Sequence, residues 1–184
     1  MRKVIVNEFM SLDGVAQAPG GADEDISGGF AHGGWHMRFM EDELAQRWVL
    51  ASIVEAGGFL LGRRTFEIFA EPLNTKPKYV VSTTLTEPLE WQNSTLLQGE
   101  AAKAVASLKQ EDGADLHVIG STELVQMLIE HGLVDEFRLM LDPVTLGGGK
   151  RIFRDDGLLR ALRLVDSEVA TTGAILATYA PAEA

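Results

Sequence analysis

Residues 60–67 read Leu60-Leu61-Gly62-Arg63-Arg64-Thr65-Phe66-Glu67. A short apolar run stops at a glycine, and two guanidinium groups, a hydroxyl and a helical stretch follow at once. Such a run reads as a short strand that ends at the glycine, where a helix or turn begins. Val80-Val81-Ser82-Thr83-Thr84 and Val118-Ile119-Gly120-Ser121-Thr122 repeat the pattern. Junctions of this kind describe an α/β fold with a mostly parallel central sheet.

Outward from these junctions, Val4 to Phe9 reads as the opening strand, and Ser11-Leu12-Asp13-Gly14 as a turn, because Asp-Gly tolerates positive φ. Ala18 to Gly34, rich in Gly, Ala and Asp, reads as a long loop, and loops of that length in compact domains are functional or mobile. Helical spacing covers Glu41 to Glu55, with Gly57-Gly58 as the stop; further helices are expected at Phe66 to Ala70, Glu100 to Gln110 and Leu124 to Glu130, the last ended by Gly132. Strands are expected at Phe59 to Leu61, Tyr79 to Ser82, Leu116 to Gly120 and Glu136 to Leu141. Leu162 to Glu168 and Ala174 to Tyr179, on either side of Thr171-Thr172-Gly173, predict an antiparallel C-terminal hairpin. No repeat or low-complexity linker interrupts the chain, so a single domain over residues 1–184 is expected.

Composition narrows the function. Sixteen Lys plus Arg against 27 Asp plus Glu leave a net charge of −11, with no basic stripe, which argues against nucleic acid and acidic membrane surfaces as partners. The absence of cysteine removes disulfides, thiolate metal sites and cysteine nucleophiles. No apolar run is long enough for a membrane span or a signal peptide, and a cytoplasmic location is expected. His32 and His36 form H-x-x-x-H, but Gly33 and Gly34 between them oppose the helix that would align two imidazoles, and no metal is expected.

In an open α/β sheet, ligands sit beyond the carboxyl ends of the strands, where helix N-terminal amides and hydroxyls take phosphate oxygens. Gly62, Arg63, Arg64 and Thr65 combine a close-approach glycine, two guanidinium forks and a hydroxyl; two cations at a helix start oppose the helix dipole and so want an anion. Ser82 and Thr83, and Gly120, Ser121 and Thr122, are the corresponding residues at the other two junctions. Each group singly also reads as an ordinary cap or turn. Asp13 reads either as an active-site carboxylate or as a turn former. Gly148 and Lys150, in Gly147-Gly148-Gly149-Lys150, read either as a backbone approach with an ammonium for a substrate phosphate or as a strand bend. Trp35 reads either as a stacking surface for a planar heterocycle or as a cover for the core edge, and His117 as a satisfied core histidine.

The S-L-D-G turn, L-L-G-R-R-T-F-E at 60–67, Y-V-V-S-T-T-L at 79–85, V-I-G-S-T-E-L-V at 118–125 and L-V-D-E-F-R-L-M-L-D-P-V-T-L-G-G-G-K-R-I-F at 133–153 together resemble the reductase domain of the bacterial riboflavin-pathway deaminase-reductase. That domain lies within the dihydrofolate-reductase-like superfamily. The resemblance implies a dihydrofolate-reductase-like three-layer fold, a nicotinamide cofactor (NADPH, with NADH as the alternative), a small heterocyclic substrate and a homodimer. It implies cofactor-phosphate contacts for Gly62, Arg63 and Thr65, with Arg63 near the 2′-phosphate, adenosine-side contacts for Ser82 and Thr83, and a turn over the pyrophosphate for Gly120, Ser121 and Thr122. It also favours Asp13 as the active-site carboxylate, and a loop from Ala18 to Gly34 that closes the site with Trp35.

The reaction implied is reduction of the ribosyl group of 5-amino-6-(5-phosphoribosylamino)uracil to a ribityl group. A pterin or folate reductase is the alternative enzyme, with Asp42 and Glu43 near the start of the first helix as its candidate carboxylates. A non-catalytic dimeric nucleotide-binding relative is the alternative of another class. Thr83, where related sequences often carry Arg, and the carboxylate of Glu123 favour it.

Overall fold

The computed structural model describes residues 1–69 and 73–182. In chain order the elements are β1 (Val4–Ser11), α1 (Glu43–Glu55), β2 (Gly58–Gly62), α2 (Arg63–Phe69), β3 (Lys78–Val81), β4 (Ser94–Leu97), α3 (Ala101–Gln110), β5 (Leu116–Ile119), α4 (Thr122–Glu130), β6 (Glu136–Asp142), β7 (Leu162–Val169) and β8 (Ile175–Pro181). Single 3-10 turns at Ser27–Gly29 and Met37–Phe39 punctuate the loop between β1 and α1. The eight strands form a sheet in the order β4-β3-β2-β5-β1-β6-β8-β7. The pairs β1–β5, β5–β2, β2–β3 and β3–β4 are parallel, whereas β6–β8 and β8–β7 are antiparallel.

The chain packs as two compact units, one of Met1–Asn7 with Ser52–Asp135 and one of Glu8–Ala51 with the chain from Glu136. The first is built on β2. Phe59, Leu60 and Leu61 are all fully buried, so residues on both faces of the strand are covered. Phe59 and Leu61 pack with Ala56, Phe66, Leu73 and Val80. On α4, Leu124, Val125 and Leu128 form the buried face, and Gly132 ends the helix at φ +62°, with the Leu133 amide reaching back to the Leu128 carbonyl. The second unit has its own core, in which Met140 of β6, Leu176 of β8 and Phe39, Ala45, Ala170 and Ala174 are buried together, flanked by Phe9 and Trp48.

Most predicted elements lie within a residue or two of their expected places; the differences have local causes. The expected helix at Phe66 to Ala70 begins at Arg63, because β2 passes into α2 without a connecting residue; Ala70 lies outside the described residues. The helix expected from Glu41 begins at Glu43, because Asp42 is its cap: Oδ1 accepts the amides of Leu44 and Ala45 at 2.8 and 3.2 Å. Strand β4 was not expected from the sequence. Its four residues, Ser94-Thr95-Leu96-Leu97, carry little apolar signal and are held by parallel pairing with β3 at the sheet margin.

Candidate active site

Within the first unit, the three sequence junctions end three neighbouring strands. β3, β2 and β5 are adjacent and parallel, with Gly62 opposite Val81 and Leu60 opposite Val118, so Ser82, Gly62 and Gly120 lie beyond the same edge of the sheet. Two of the junctions are hydrogen-bonded to each other. The Gly62 amide donates to Ser121 Oγ at 2.9 Å, and the Ser121 hydroxyl donates to Thr65 Oγ1 at 2.8 Å. Gly120 and Ser121 both adopt left-handed backbone, each at φ +59°, immediately before α4. A Cβ on Gly120 would meet Thr65 Oγ1 at 3.4 Å, close to an ordinary contact, so the positive φ rather than crowding is what favours glycine there.

The Ser121 hydroxyl is therefore used within the protein. It makes no capping bond to α4, whose first amides have no partner inside the helix and face the site with the positive end of the helix dipole. Thr122 begins that helix and Glu123 is exposed in its first turn. Ser82 is likewise engaged: its Oγ accepts the amides of Thr84 and Leu85 at 3.1 and 3.0 Å, closing the turn after β3, while Thr83 at the turn's tip is exposed. Arg63 and Arg64 lie in the exposed first turn of α2, and Arg63 pairs with Glu67 one turn on at 3.1 Å. Such a surface pair is worth about 0 to 1 kcal/mol, so an incoming phosphate competes with it easily.

In the second unit, Asp13 anchors a loop. Its carboxylate accepts the Ser11 hydroxyl at 2.6 Å and the backbone amides of Leu146 and Gly147, at 3.1 and 2.8 Å. The Ser11 hydrogen bond foremost, with the two amides, lowers its pKa to about 2 against the cost of desolvation. Asp13 is thus an ionised carboxylate that holds position, and it has no proton to deliver near neutrality.

The loop it anchors lines a cavity of about 430 Å³ together with Gln17, Phe30 and His32. Gly148 and Lys150 are both on its wall. The Lys150 amide donates to Gln17 Oε1 at 2.9 Å, and its ammonium pairs with Asp25 at 2.9 Å. Gly149 has no room for a side chain: a Cβ there would lie 2.6 Å from Val15 Cγ1 and 3.0 Å from the Phe30 ring.

Trp35 does not line this cavity. It is 5% exposed and donates its indole N–H to the Gln17 carbonyl at 2.8 Å, the geometry of a core-edge residue rather than of a stacking platform. Asp42, the candidate pterin carboxylate, spends Oδ1 on capping α1 and Oδ2 on the amide and hydroxyl of Thr171, so neither oxygen is left to grip a pterin. His117 is buried on β5 against Asn7 Nδ2 at 3.2 Å, as a core histidine.

Two buried titratable features were not singled out from the sequence. His36 Nδ1 lies 2.7 Å from Asp142 Oδ2 with both side chains buried, and the imidazole stacks on Phe9 with ring centroids 3.7 Å apart. Burial raises the Asp142 carboxyl, with His36 opposing the shift. Glu8 of β1 is 2% exposed, and burial, with Glu24 adding repulsion, pushes its carboxyl well above the ordinary range. The signal for Glu8 was available, since Asn7-Glu8 interrupts an otherwise apolar strand. No comparable signal joins His36 to Asp142.

A parallel sheet whose strand ends meet in glycine and hydroxyl turns, continued by an antiparallel C-terminal hairpin, is a dihydrofolate-reductase-like fold. The chain belongs to the RibD C-terminal domain family, whose model matches residues 2–176. It is 31% identical over 136 residues to the uncharacterised protein YyaP of Bacillus subtilis, covering 65% of this chain and 71% of that protein. It is also 31% identical over 103 residues to YwjB of the same organism, covering 52% and 58% of the two chains.

Solved structures share the fold. A putative riboflavin biosynthesis protein from Shewanella sp. PV-4 superposes with a TM-score of 0.73 at 21% identity, covering 98% of this chain and 99% of that one. A pyrimidine reductase-like protein from Corynebacterium diphtheriae gives 0.70 at 12% identity, covering 100% and 93%. Dihydrofolate reductase from Enterococcus faecalis, complexed with NADP(H), gives 0.58 at 15% identity, covering 98% and 97%.

Proposed function

We propose that this chain is an NAD(P)H-dependent reductase of the riboflavin-pathway type, which reduces the ribosyl group of an aminopyrimidine phosphate similar to 5-amino-6-(5-phosphoribosylamino)uracil. The observation that carries the reading is the alignment of the three glycine and hydroxyl turns on adjacent parallel strands, two of them hydrogen-bonded together. The donors there suit a dinucleotide: uncapped amides at the start of α4 for the pyrophosphate, guanidinium groups on α2 for a 2′-phosphate, and the Ser82–Thr83 turn on the adenosine side.

When bound, the nicotinamide cofactor supplies the hydride. Gly62, Thr65, Gly120 and Ser121 keep the phosphate-binding turns in fixed geometry without a side chain intruding. Gly148 and Lys150 take part in holding the substrate, in a cavity of the size that small-molecule ligands occupy. Asp13 positions the 146–150 loop and contributes a fixed negative charge. The protein works as a homodimer of single-domain chains in the cytoplasm.

The test is titration with NADPH and with NADH, followed by nucleotide fluorescence. Saturable NADPH binding is expected, and Arg63→Ala should weaken NADPH about tenfold or more while weakening NADH much less, because only NADPH carries the 2′-phosphate. Equal weakening of both nucleotides moves Arg63 to the pyrophosphate, and no saturable signal at millimolar concentration of either nucleotide overturns the enzyme reading.

A further inference from the structure

One buried side chain frames the cavity beside the 146–150 loop. Gln17 is 4% exposed, and its amide is used on backbone: Nε2 donates to the carbonyls of Asp25 and Ser27, each at 2.9 Å, and Oε1 accepts the Lys150 amide at 2.9 Å. Ser27 and Lys150 both line the cavity, so a single amide sets the spacing of two segments of its wall. That spacing is independent of what the Asp25 and Lys150 side chains do.

A second link joins the same two segments through those side chains. The Lys150 ammonium pairs with the Asp25 carboxylate at 2.9 Å, and the two side chains are 30% and 13% exposed. Lys150 is on the cavity wall and Asp25 is not. Asp25 Oδ1 also takes the Ser27 amide at 3.0 Å, which fixes the carboxylate in place. Against the cost of desolvation, hydrogen bonds from Ser27 and Lys150 hold this carboxyl far below the usual carboxylate range, so it is fully ionised near neutrality.

An ammonium paired in this way binds an outside anion only by exchange. The affinity of any such ligand is reduced by the fraction of molecules in which Lys150 has left Asp25. A singly charged group offers no more than Asp25 does and also loses its freedom of motion on binding. A phosphate monoester brings a charge of about −1.5 to −2 and three acceptor oxygens, which the turning donors of an ammonium can follow. When Lys150 changes partner, Gln17 still holds both wall segments.

We infer that Asp25 is a specificity-determining residue: its carboxylate is an internal competitor for Lys150, setting an affinity threshold that a ligand with a phosphate monoester passes and one with a singly charged group does not. The inference rests on the reading above for the cavity as the substrate's site, and it narrows the substrate class to phosphate monoesters.

Calorimetric titration above pH ~7, where a monoester is a dianion, tests it with ribose 5-phosphate and with the methyl phosphodiester of the same sugar, a monoanion of similar shape. The wild-type chain is expected to bind the monoester and to bind the diester about tenfold or more weakly. Asp25→Asn keeps an acceptor for the Ser27 amide and removes the charge; it should tighten both ligands by the same factor, about tenfold. Lys150→Gln should weaken the monoester about tenfold or more, and adding Asp25→Asn to it should recover nothing, because no ammonium is left to compete for. A gain from Asp25→Asn that persists without Lys150 is simple charge repulsion and overturns the inference. Unchanged or weaker binding by Asp25→Asn, or no monoester binding by either protein, overturns it as well. NADPH titration of the same samples separates the two proposals: ribose 5-phosphate binding tightened by Asp25→Asn without any nucleotide binding sinks only the reductase reading, and nucleotide binding with an indifferent Asp25→Asn sinks only the competitor.

Discussion

Asp13 shows how far a single residue can be read. As part of Ser11-Leu12-Asp13-Gly14 it was legible both as a turn residue and as a candidate carboxylate. Its partners were not, because Leu146 and Gly147 lie 133 and 134 positions away and bind through backbone amides, which carry no sequence identity. The consequence is chemical: a carboxylate held at a pKa of about 2 can orient but cannot donate a proton. Asp13→Asn would turn an acceptor-only group into one that presents its own NH₂ to backbone donors. We expect turnover to fall and unfolding free energy to drop by about 1 to 3 kcal/mol, with nucleotide affinity nearly unchanged. Kinetics and urea unfolding measured side by side check this; unaltered turnover with lowered stability would leave Asp13 a purely structural anchor. Ser121 follows the same logic, since its hydroxyl was legible as a phosphate donor and is instead spent on Gly62 and Thr65.

Among the elements, those with strong local signals were the ones the sequence revealed. β2 is an apolar run buried on both faces, and α4 carries a clear apolar face and a glycine stop, so hydrophobic pattern and capping sufficed. β4 has neither and exists because β3 offers it a hydrogen-bonding edge. The Gly147-Gly148-Gly149 turn separates local from tertiary constraint within three residues. Gly149 sits at φ +131° with Val15 and Phe30 within 3.0 Å of a would-be Cβ, whereas Gly148 has open space around it. Gly149→Ala should cost about 2 kcal/mol or more, through strained backbone and forced displacement of packed side chains. Gly148→Ala should be within about 0.5 kcal/mol of wild type, as befits an exposed position. Chemical denaturation of the two variants checks the contrast, and equal losses would show that the turn is constrained as a whole.

At the scale of the whole molecule, the carboxylates that folding perturbs fall into two classes with opposite effects on stability. Asp13 and Asp156 are lowered to about 2, Asp13 chiefly by the Ser11 hydrogen bond and Asp156 by Arg160, and Asp42 is lowered chiefly by Thr171. Unfolded aspartates titrate near ~3.9, so these groups stabilise the protein above that pH, and their contribution is lost as the pH falls through their lowered folded values. Glu8 and Asp142 are raised by burial, so the folded state binds their protons more tightly than the unfolded chain does. They penalise folding above their folded pKa values, and the penalty shrinks on acidification toward the unfolded values near ~4. Stability should therefore pass through a maximum on the acid side of neutrality before falling below pH ~4. Glu8→Gln should raise stability at neutral pH and flatten that limb of the profile. Urea unfolding as a function of pH measures both, and a Glu8→Gln profile parallel to wild type would show that Glu8 does not titrate across it.

The sequence by itself determined the class of fold, the three strand-to-helix junctions, the terminal hairpin and the family, because each is written in contiguous residues whose apolar period, glycine placement and hydroxyls act locally. Only the tertiary structure decided what those residues touch: that Ser121 serves Gly62 and Thr65, that Trp35 is core, that Asp42 is spent on Thr171, and that His36 meets Asp142. The physical reason is reach. Backbone conformation and burial follow from neighbours along the chain, whereas the partner of a hydroxyl or carboxylate is set by which distant segment the sheet brings within about 3 Å of it.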